Sequence, residues 1–299
     1  MKIFDCTTYF NENLMLEVRF NILNKYIDKF VIVEAKYSHS GEKKKLNFNI
    51  NKFKEFKEKI IYIVINNEPD DLIYQKQGDA VVEGDANLRM NSIKRISAQR
   101  DKLLEGLDDA NPDDYIFYSD NDEIPNFKNF NFQNNKSKIL IFKQRLFYYK
   151  FNLFCDRVDW YGTKGCKKRD LISFSWLREV KTKKYQFFRA DTFFSKTKYR
   201  DVRIIDDGGW HFSQLKSPKD IEIKLLNQEH HDEYKLAKDS LPTVADLVKR
   251  KSIVYDHSAK SKDYKYSNEF KLKTLSIDYM PTFLQKNVNK YSEWFDHEI

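Results

Sequence analysis

Residues 113–125 read DDYIFYSDNDEIP: Asp113-Asp114-Tyr115-Ile116-Phe117-Tyr118-Ser119-Asp120-Asn121-Asp122-Glu123-Ile124-Pro125. The run Tyr115–Tyr118 is apolar or aromatic on both faces, which predicts a strand buried inside a sheet. Directly after it come Asp120, Asn121, Asp122 and Glu123, closed by Pro125. In open α/β sheets, ligands sit at the carboxyl ends of strands. Two carboxylates one residue apart at such a turn can converge on one hard cation, because Mg²⁺ and Mn²⁺ take oxygen ligands and share them with phosphates. Three neighbouring acids without compensation repel, so a bound cation would explain the cluster. A D-x-D triplet alone is common, and the other reading is a solvated acidic turn.

Outward from this segment the pattern is α/β. Residues 2–4 (KIF) read as a short strand, followed by a helix capped by Asn11 or Asn13 and running to about Ile27, with Leu14, Val18, Ile22 and Tyr26 at i, i+4 spacing. FVIVEA (Phe30–Ala35) and IIYIVI (Ile60–Ile65) read as buried strands, with a helix over 51–59 between them. Strand, helix, strand in this order predicts βαβ units. Residues 66–90 are polar and without period, which reads as a long loop. A helix over 91–107 has Ile93, Ile96, Leu103 and Leu107 as its core stripe, and Arg100 falls on that stripe. Arg100 is either a snorkelling side chain at the helix edge or a guanidinium aimed inward at an anion. Lys138–Phe142 is a further strand, and 143–200 is aromatic and β-like, with Trp160 and Trp176. A helix over 219–227 follows Pro218. Residues 246–299, opening with Lys249-Arg250-Lys251, read as a charged, mostly helical extension of a domain spanning 1–245.

Composition narrows the class. With 41% apolar residues, 33% charged residues and few glycines (8) or prolines (6), the 299-residue chain is globular rather than low-complexity. No apolar run approaches the roughly 20 residues of a membrane span, and MKIFDCTTYF does not read as a secretory signal. Cys6, Cys155 and Cys166 are too scattered for a disulfide framework, so a reduced, cytoplasmic setting is expected. A net charge of +8 favours anionic partners, although a coding bias toward Lys, Asn, Ile, Phe and Tyr raises the pI equally well. No basic stripe with interleaved aromatics stands out, so nucleic acid is not an expected partner. The C-terminal segment reads either as a solvated tail or as a peripheral contact with an anionic membrane.

A second constellation is Asp206-Asp207-Gly208-Gly209-Trp210-His211-Phe212-Ser213. The glycines let backbone approach a ligand closely or adopt positive φ. Trp210 offers a flat face for a sugar ring, and His211 a neutral imidazole to complete a metal shell. The alternative is a tight turn with a buried Trp and a hydrogen-bonded His. His230 and His231, adjacent and therefore on different helix faces, read as surface residues.

Four ordered blocks resemble glycosyltransferase family 17, the bisecting N-acetylglucosaminyltransferase-like family. They are Phe10-Asn11-Glu12 through Leu16-Glu17-Val18-Arg19; Phe30–Ala35 with Ser38-His39-Ser40-Gly41; Gln99-Arg100-Asp101 leading to Ser119–Pro125; and Gly209–Ser213 with Lys224 downstream. Asp278-Tyr279-Met280-Pro281 through Asn287 is a weaker echo, and Asn121 stands where the family usually has a small residue. The resemblance implies a GT-A-like, Rossmann-type domain with a mixed, mostly parallel sheet. It also implies a nucleotide-sugar donor (UDP-linked, carrying N-acetylglucosamine), a glycan hydroxyl as acceptor, Mn²⁺ or Mg²⁺, and inversion at the anomeric carbon. On this expectation Asp120, Asp122 and His211 serve the metal. Glu34, Arg100, Asp101, Asp120, Glu123, Trp210 and Lys224 serve the donor. Inversion needs a base opposite the leaving group; Asp207, beside the Gly-Gly turn, is the first candidate, with Asp206 and Glu229 as rivals. Two competing readings are a metal-dependent phosphoesterase or nuclease and a non-catalytic carbohydrate-binding protein.

Overall fold

The computed structural model describes residues 1–74, 81–183, 185, 194–227, 231–259 and 264–297. Its centre is a mixed sheet. Strands β1 (Ile3–Tyr9), β2 (Lys29–Ala35), β3 (Ile60–Ile65) and β4 (Tyr115–Tyr118) pair in parallel in the spatial order β3-β2-β1-β4. The sheet continues through β7 (Leu153–Lys167), antiparallel to both β4 and β6 (Ile139–Tyr148). Beyond β6 lie β9 (Gly209–Ser213), parallel to it, and β5 (Glu123–Pro125), antiparallel to β9. The short β8 (Val202–Ile205) pairs with the first half of β6.

The period-2 alternation of the strands sorts their side chains into two cores. Phe30, Ile32, Tyr115, Phe117, Leu140 and Phe142 face one side, against helix α1 (Asn13–Leu23) and Phe53 and Phe56 of a 3₁₀ segment. Val31, Val33, Ile116, Tyr118, Ile139 and Ile141 face the other, against Leu103 and Leu107 and helix α3 (Phe174–Glu179). Helix α2 (Val81–Asp101) packs on this second side, and α4 (Pro218–Asn227) closes the far end.

Several expectations need correction. β3 is half-buried throughout because it is the sheet's edge strand. α1 ends at Leu23, and neither Asn11 nor Asn13 caps it; Glu12 takes the cap position, its carboxylate accepting from the amides of Phe10 and Asn11. The helix buries Met15, Leu16, Val18, Arg19, Phe20 and Leu23, a wider arc than one stripe, because C-terminal chain packs against it too. α2 begins at Val81, within the stretch read as loop, and Ile93 is exposed. From residue 91 on, its inward face carries Asn91, Ser92, Arg95 and Gln99 beside Ile96, not the apolar stripe expected through Ile93. The C-terminal segment is not mostly helical. It holds α5 (Val244–Lys249), two-residue strands β10 (Ser252–Ile253), β11 (Phe270–Lys271) and β12 (Lys273–Thr274), and the short α6 (Thr282–Lys286). β12 pairs with β7, and Met280, Leu284, Tyr291 and Phe295 enter the first core, so this segment is part of the main fold.

Candidate functional site

A cavity of about 540 Å³ opens at the carboxyl ends of β1, β2 and β4. Tyr9 and Phe10, Tyr37 and His39, and Asp120–Asp122 enter it from those three strand ends, and Gln99 and Arg100 enter from α2. Trp160, Arg178, His211 and Lys224 come from β7, α3, β9 and α4.

The acidic turn is held from beneath by a buried cation. Arg19 of α1 is fully buried; it donates from Nε and Nη2 to the two oxygens of Asp5 (2.7 and 2.5 Å) and from Nη1 to the carbonyl of Glu123 (2.6 Å). The Phe212 amide donates to the Asp122 carbonyl (2.8 Å), and Glu123 pairs with His211 across β5 and β9. Alternation along β9 then sends His211 and Ser213 into the cavity and Trp210 and Phe212 into the core.

Each acid of the turn has cationic partners. Asp120 accepts from Tyr118 Oη (2.8 Å) and Arg178 Nη2 (2.7 Å), with Arg100 Nη2 at 3.7 Å. Burial works to raise its carboxyl, but Arg178 and Arg100 outweigh it and hold the pKa at about 2. Asp122 faces Lys224 Nζ at 3.1 Å and His211 Nε2 at 3.5 Å. Burial again acts upward, and Lys224 with His211 holds it well below the usual carboxylate range. Glu12, against Lys216 (3.6 Å) and Lys224 (3.9 Å), is likewise lowered despite burial. The protein's own cations therefore do much of the compensating that the sequence assigned to a metal. For His39, burial and then Arg100 push the imidazole down to about 4, so it is neutral at pH 7.

Arg178 is the centre of this network, and no motif announced it. Its Nη1 and Nη2 donate to Glu123 Oε2 and Oε1 (2.8 and 2.9 Å), and Nη1 also donates to the Gly162 carbonyl (3.0 Å). Ser173 caps α3, and Asp101 Oδ1 accepts from the Ser175 amide (2.7 Å), tying α3 to the end of α2. Lys164 donates to the Arg178 and Val180 carbonyls at the helix end. Burial and then the Arg178 charge push Lys164 down to about 7. Gly162 is required by close approach: a Cβ there would lie 2.0 Å from Gln144 Oε1 and 2.8 Å from the Glu123 carboxylate carbon.

The structure brings together Arg100, Asp120, Asp122, His211 and Lys224. The inward reading of Arg100 holds, since its Nε donates to Tyr118 Oη (3.0 Å). The other candidates lie elsewhere. Glu123 is wholly buried behind the site, bonded by Arg178, by Trp160 Nε1 (2.8 Å) and by the Asp120 amide (3.0 Å). Glu34 is wholly buried too; it accepts from Lys44, from the amides of Asn47 and Phe48, and from Tyr62 Oη, anchoring the loop after β2. Asp101 serves α3, as above. Trp210 donates from Nε1 to the Tyr279 carbonyl (2.7 Å) and faces the core, so the flat ring in the cavity is Trp160. Asp206 and Asp207 are exposed at the amino end of β9, where Asp207 pairs with Arg145. Gly209, at φ +126°, accommodates the Ile124 carbonyl rather than a ligand. Glu229 and His230 lie outside the described residues, and His231 is buried, not on the surface. Tyr118, Tyr148, Lys216 and His257 also belong to the site or its support without having been singled out in the sequence.

Among the described residues, no three His, Cys, Asp or Glu side chains are gathered as a ready-made metal shell. Asp120, Asp122 and His211 each border the cavity, and the buried His211 Nδ1 has no hydrogen-bond partner among the described residues. Also among those residues, no helix is long and apolar enough to cross a membrane.

An α/β sheet carrying a charged, acid-bearing cavity at its carboxyl edge defines a ligand-handling protein of the kind that binds at strand ends. The chain belongs to glycosyltransferase family 17, whose model matches residues 1–292, and so to the glycosyltransferases. Comparison with curated proteins gives no match.

Proposed function

We propose that the protein is an inverting, GT-A-type transferase that moves a sugar, N-acetylglucosamine foremost, from a UDP-linked donor to a glycan hydroxyl. The observation that carries this reading is the Asp120–Asp122 turn, set in a large cavity among Arg100, Arg178 and Lys224. A diphosphate leaving group gathers negative charge as the glycosidic bond breaks, and guanidinium and ammonium groups facing it stabilise that charge. The nucleoside lies against the β1 and β2 ends, where Tyr37 Oη and Gln99 Nε2 are buried and without partners.

The oxygen-rich pair Asp120 and Asp122 suits Mn²⁺ or Mg²⁺, which often binds through one or two carboxylates and completes its shell with substrate phosphates and water. Asp122, with His211 beside it, and Asp120 would hold the ion. It would supply Lewis-acid stabilisation of the leaving diphosphate. Glu123 fixes the plane of Arg178, Arg19 fixes the turn, and Trp160 offers the acceptor side a flat wall.

The test is donor binding. Thermal shift and calorimetry with UDP-N-acetylglucosamine, UDP-glucose, UDP-galactose and GDP-mannose, each with and without Mn²⁺, should give a metal-enhanced response to at least one UDP-sugar. Slow hydrolysis of that donor should be lost in Asp122→Asn. Failure of every nucleotide sugar to bind with metal present would refute the reading.

A further inference from the structure

The cavity has two chemically distinct halves. One carries the acids and cations described above. The other is built from the end of β6, from Trp160 in the middle of β7 and from residues 241–257, and among the described residues its lining there (Leu241, Pro242, Leu247, Ile253, Tyr255, His257) contains no Asp, Glu, Lys or Arg. This neutrality is selective, because the same stretch is rich in charge. Arg250 turns outward to Glu269, and Lys251 pairs with Asp296.

The two halves meet at Trp160. Its ring packs against His211 at 4.4 Å between centroids, and His211 faces Asp122. It also meets His257 edge-on at 5.6 Å, and Tyr255 packs against His257 at 5.0 Å. His257 Nε2 is hydrogen-bonded to Tyr148 Oη, and Tyr148 itself lines the cavity. One indole thus touches both His211, beside the acid-bearing turn, and the imidazole of a phenol–imidazole pair. Burial keeps the Tyr148 phenol protonated at neutral pH.

We infer that the neutral aromatic half is the acceptor subsite, that it takes an uncharged hexose ring, and that Tyr148 and His257 together remove the proton of its attacking hydroxyl. The inference rests on the transferase reading and supplies the base that Asp206 and Asp207, exposed at the amino end of β9 and outside the cavity lining, do not. Aromatic faces meet the C–H face of a sugar ring, whereas a uronic or sialic carboxylate on this wall would be desolvated without a cation. In the step, the acceptor oxygen bonds to the anomeric carbon as the bond from that carbon to the diphosphate oxygen breaks. The electron pair leaves on the diphosphate. The hydroxyl proton passes to Tyr148 Oη while the Tyr148 proton passes to His257 Nε2. Tyr148 touches the substrate, and His257 acts through it.

The first experiment follows tryptophan fluorescence of the donor-bound, full-length protein as methyl β-glucoside, β-galactoside and β-mannoside are added, each paired with its uronide. At least one neutral glycoside should give saturable quenching, with its uronide binding at least tenfold more weakly. No response to any neutral glycoside, or equal binding of a uronide, overturns the subsite. The second experiment measures donor affinity and donor turnover in Tyr148→Phe and His257→Ala. Donor affinity should stay within about twofold while turnover falls on the order of 100-fold, the usual scale for general-base loss. Added imidazole should restore part of the His257→Ala loss, which a purely structural role would not allow. Wild-type turnover in both variants overturns the relay. If wild-type protein binds no nucleotide sugar at all, it is the transferase reading that fails, and that result is read separately.

Discussion

Replacing Arg178 by Met tests whether the acidic turn is held by a buried ion pair. The guanidinium makes two bonds to Glu123, one to Asp120 and one to the Gly162 carbonyl. Met fills much of the same volume but leaves the wholly buried Glu123 carboxylate with two neutral donors, Trp160 Nε1 and the Asp120 amide. Breaking a buried pair by removing one partner costs about 3–5 kcal/mol, mostly because a charge is left uncompensated. At about 2 °C per kcal/mol for a chain of this size, the melting temperature should fall by about 6–10 °C. The origin of that loss is checked by adding Glu123→Gln. The amide removes the stranded charge and can still accept from Trp160, so the double variant should return to within about 2 kcal/mol of wild type. Urea denaturation followed by tryptophan fluorescence, with thermal scans beside it, measures all four members of the cycle. An Arg178→Met cost below about 1 kcal/mol, or a Glu123→Gln cost that adds to it rather than relieving it, would refute the reasoning.

Arg19→Leu should destabilise by a similar ~3–5 kcal/mol, and a combined Asp5→Leu should recover part of it in denaturant titrations, since the pair is buried on both sides. His39 has its pKa lowered in the fold to about 4 from an ordinary 6.5, so its contribution to stability is intact above pH 6.5 and is lost as pH falls toward 4. His39→Gln should flatten the stability–pH curve in that window, and an unchanged slope would show that the neutral imidazole is not what the fold selects. Asp207→Asn should leave donor turnover within about twofold, because that side chain is exposed and paired with Arg145 away from the cavity; a hundredfold loss would return it to the candidate bases.

The sheet was legible in the sequence where a strand's run is apolar at nearly every position. Tyr115–Tyr118 and Ile60–Ile65 carry the bounds the sequence assigned, and Phe30–Ala35 misses only Lys29. The reason is that a run apolar on both faces has few other ways to bury itself. Legibility failed where an element faces the cavity. The inner face of α2 from Asn91 to Gln99 is polar, and Gln99 and Arg100 border the site, so the apolar stripe assigned through Ile93 was misplaced. Residues 246–257 looked like a charged tail because the residues turned into the cavity are neutral and interleaved with outward lysines and arginines.

The same rule accounts for which site residues could be found. Asp120 and Asp122 follow a strand end directly, so sequence order and position in space coincide. Arg178 and His257 reach the site from 55 to 137 residues further along than Glu123 or Asp120, through α3 and the chain after β10, and no local spacing encodes that return. Glu123 and Glu34 misled for the opposite reason. Glu34 stands next to the end of β2 and Glu123 closes the acidic turn after β4, the pattern of a ligand-facing carboxylate, yet each is bonded by several protein donors. What separates Asp122 from them is the kind of partner. Glu34 and Glu123 are bonded in part by backbone amides that cannot move, whereas among the described residues the Asp122 carboxylate is met by the side chains of Lys224 and His211, which can turn toward an arriving ligand. Side-chain partners at a cavity wall, rather than the acid's place in the sequence, therefore set apart the carboxylate for which the working role is proposed.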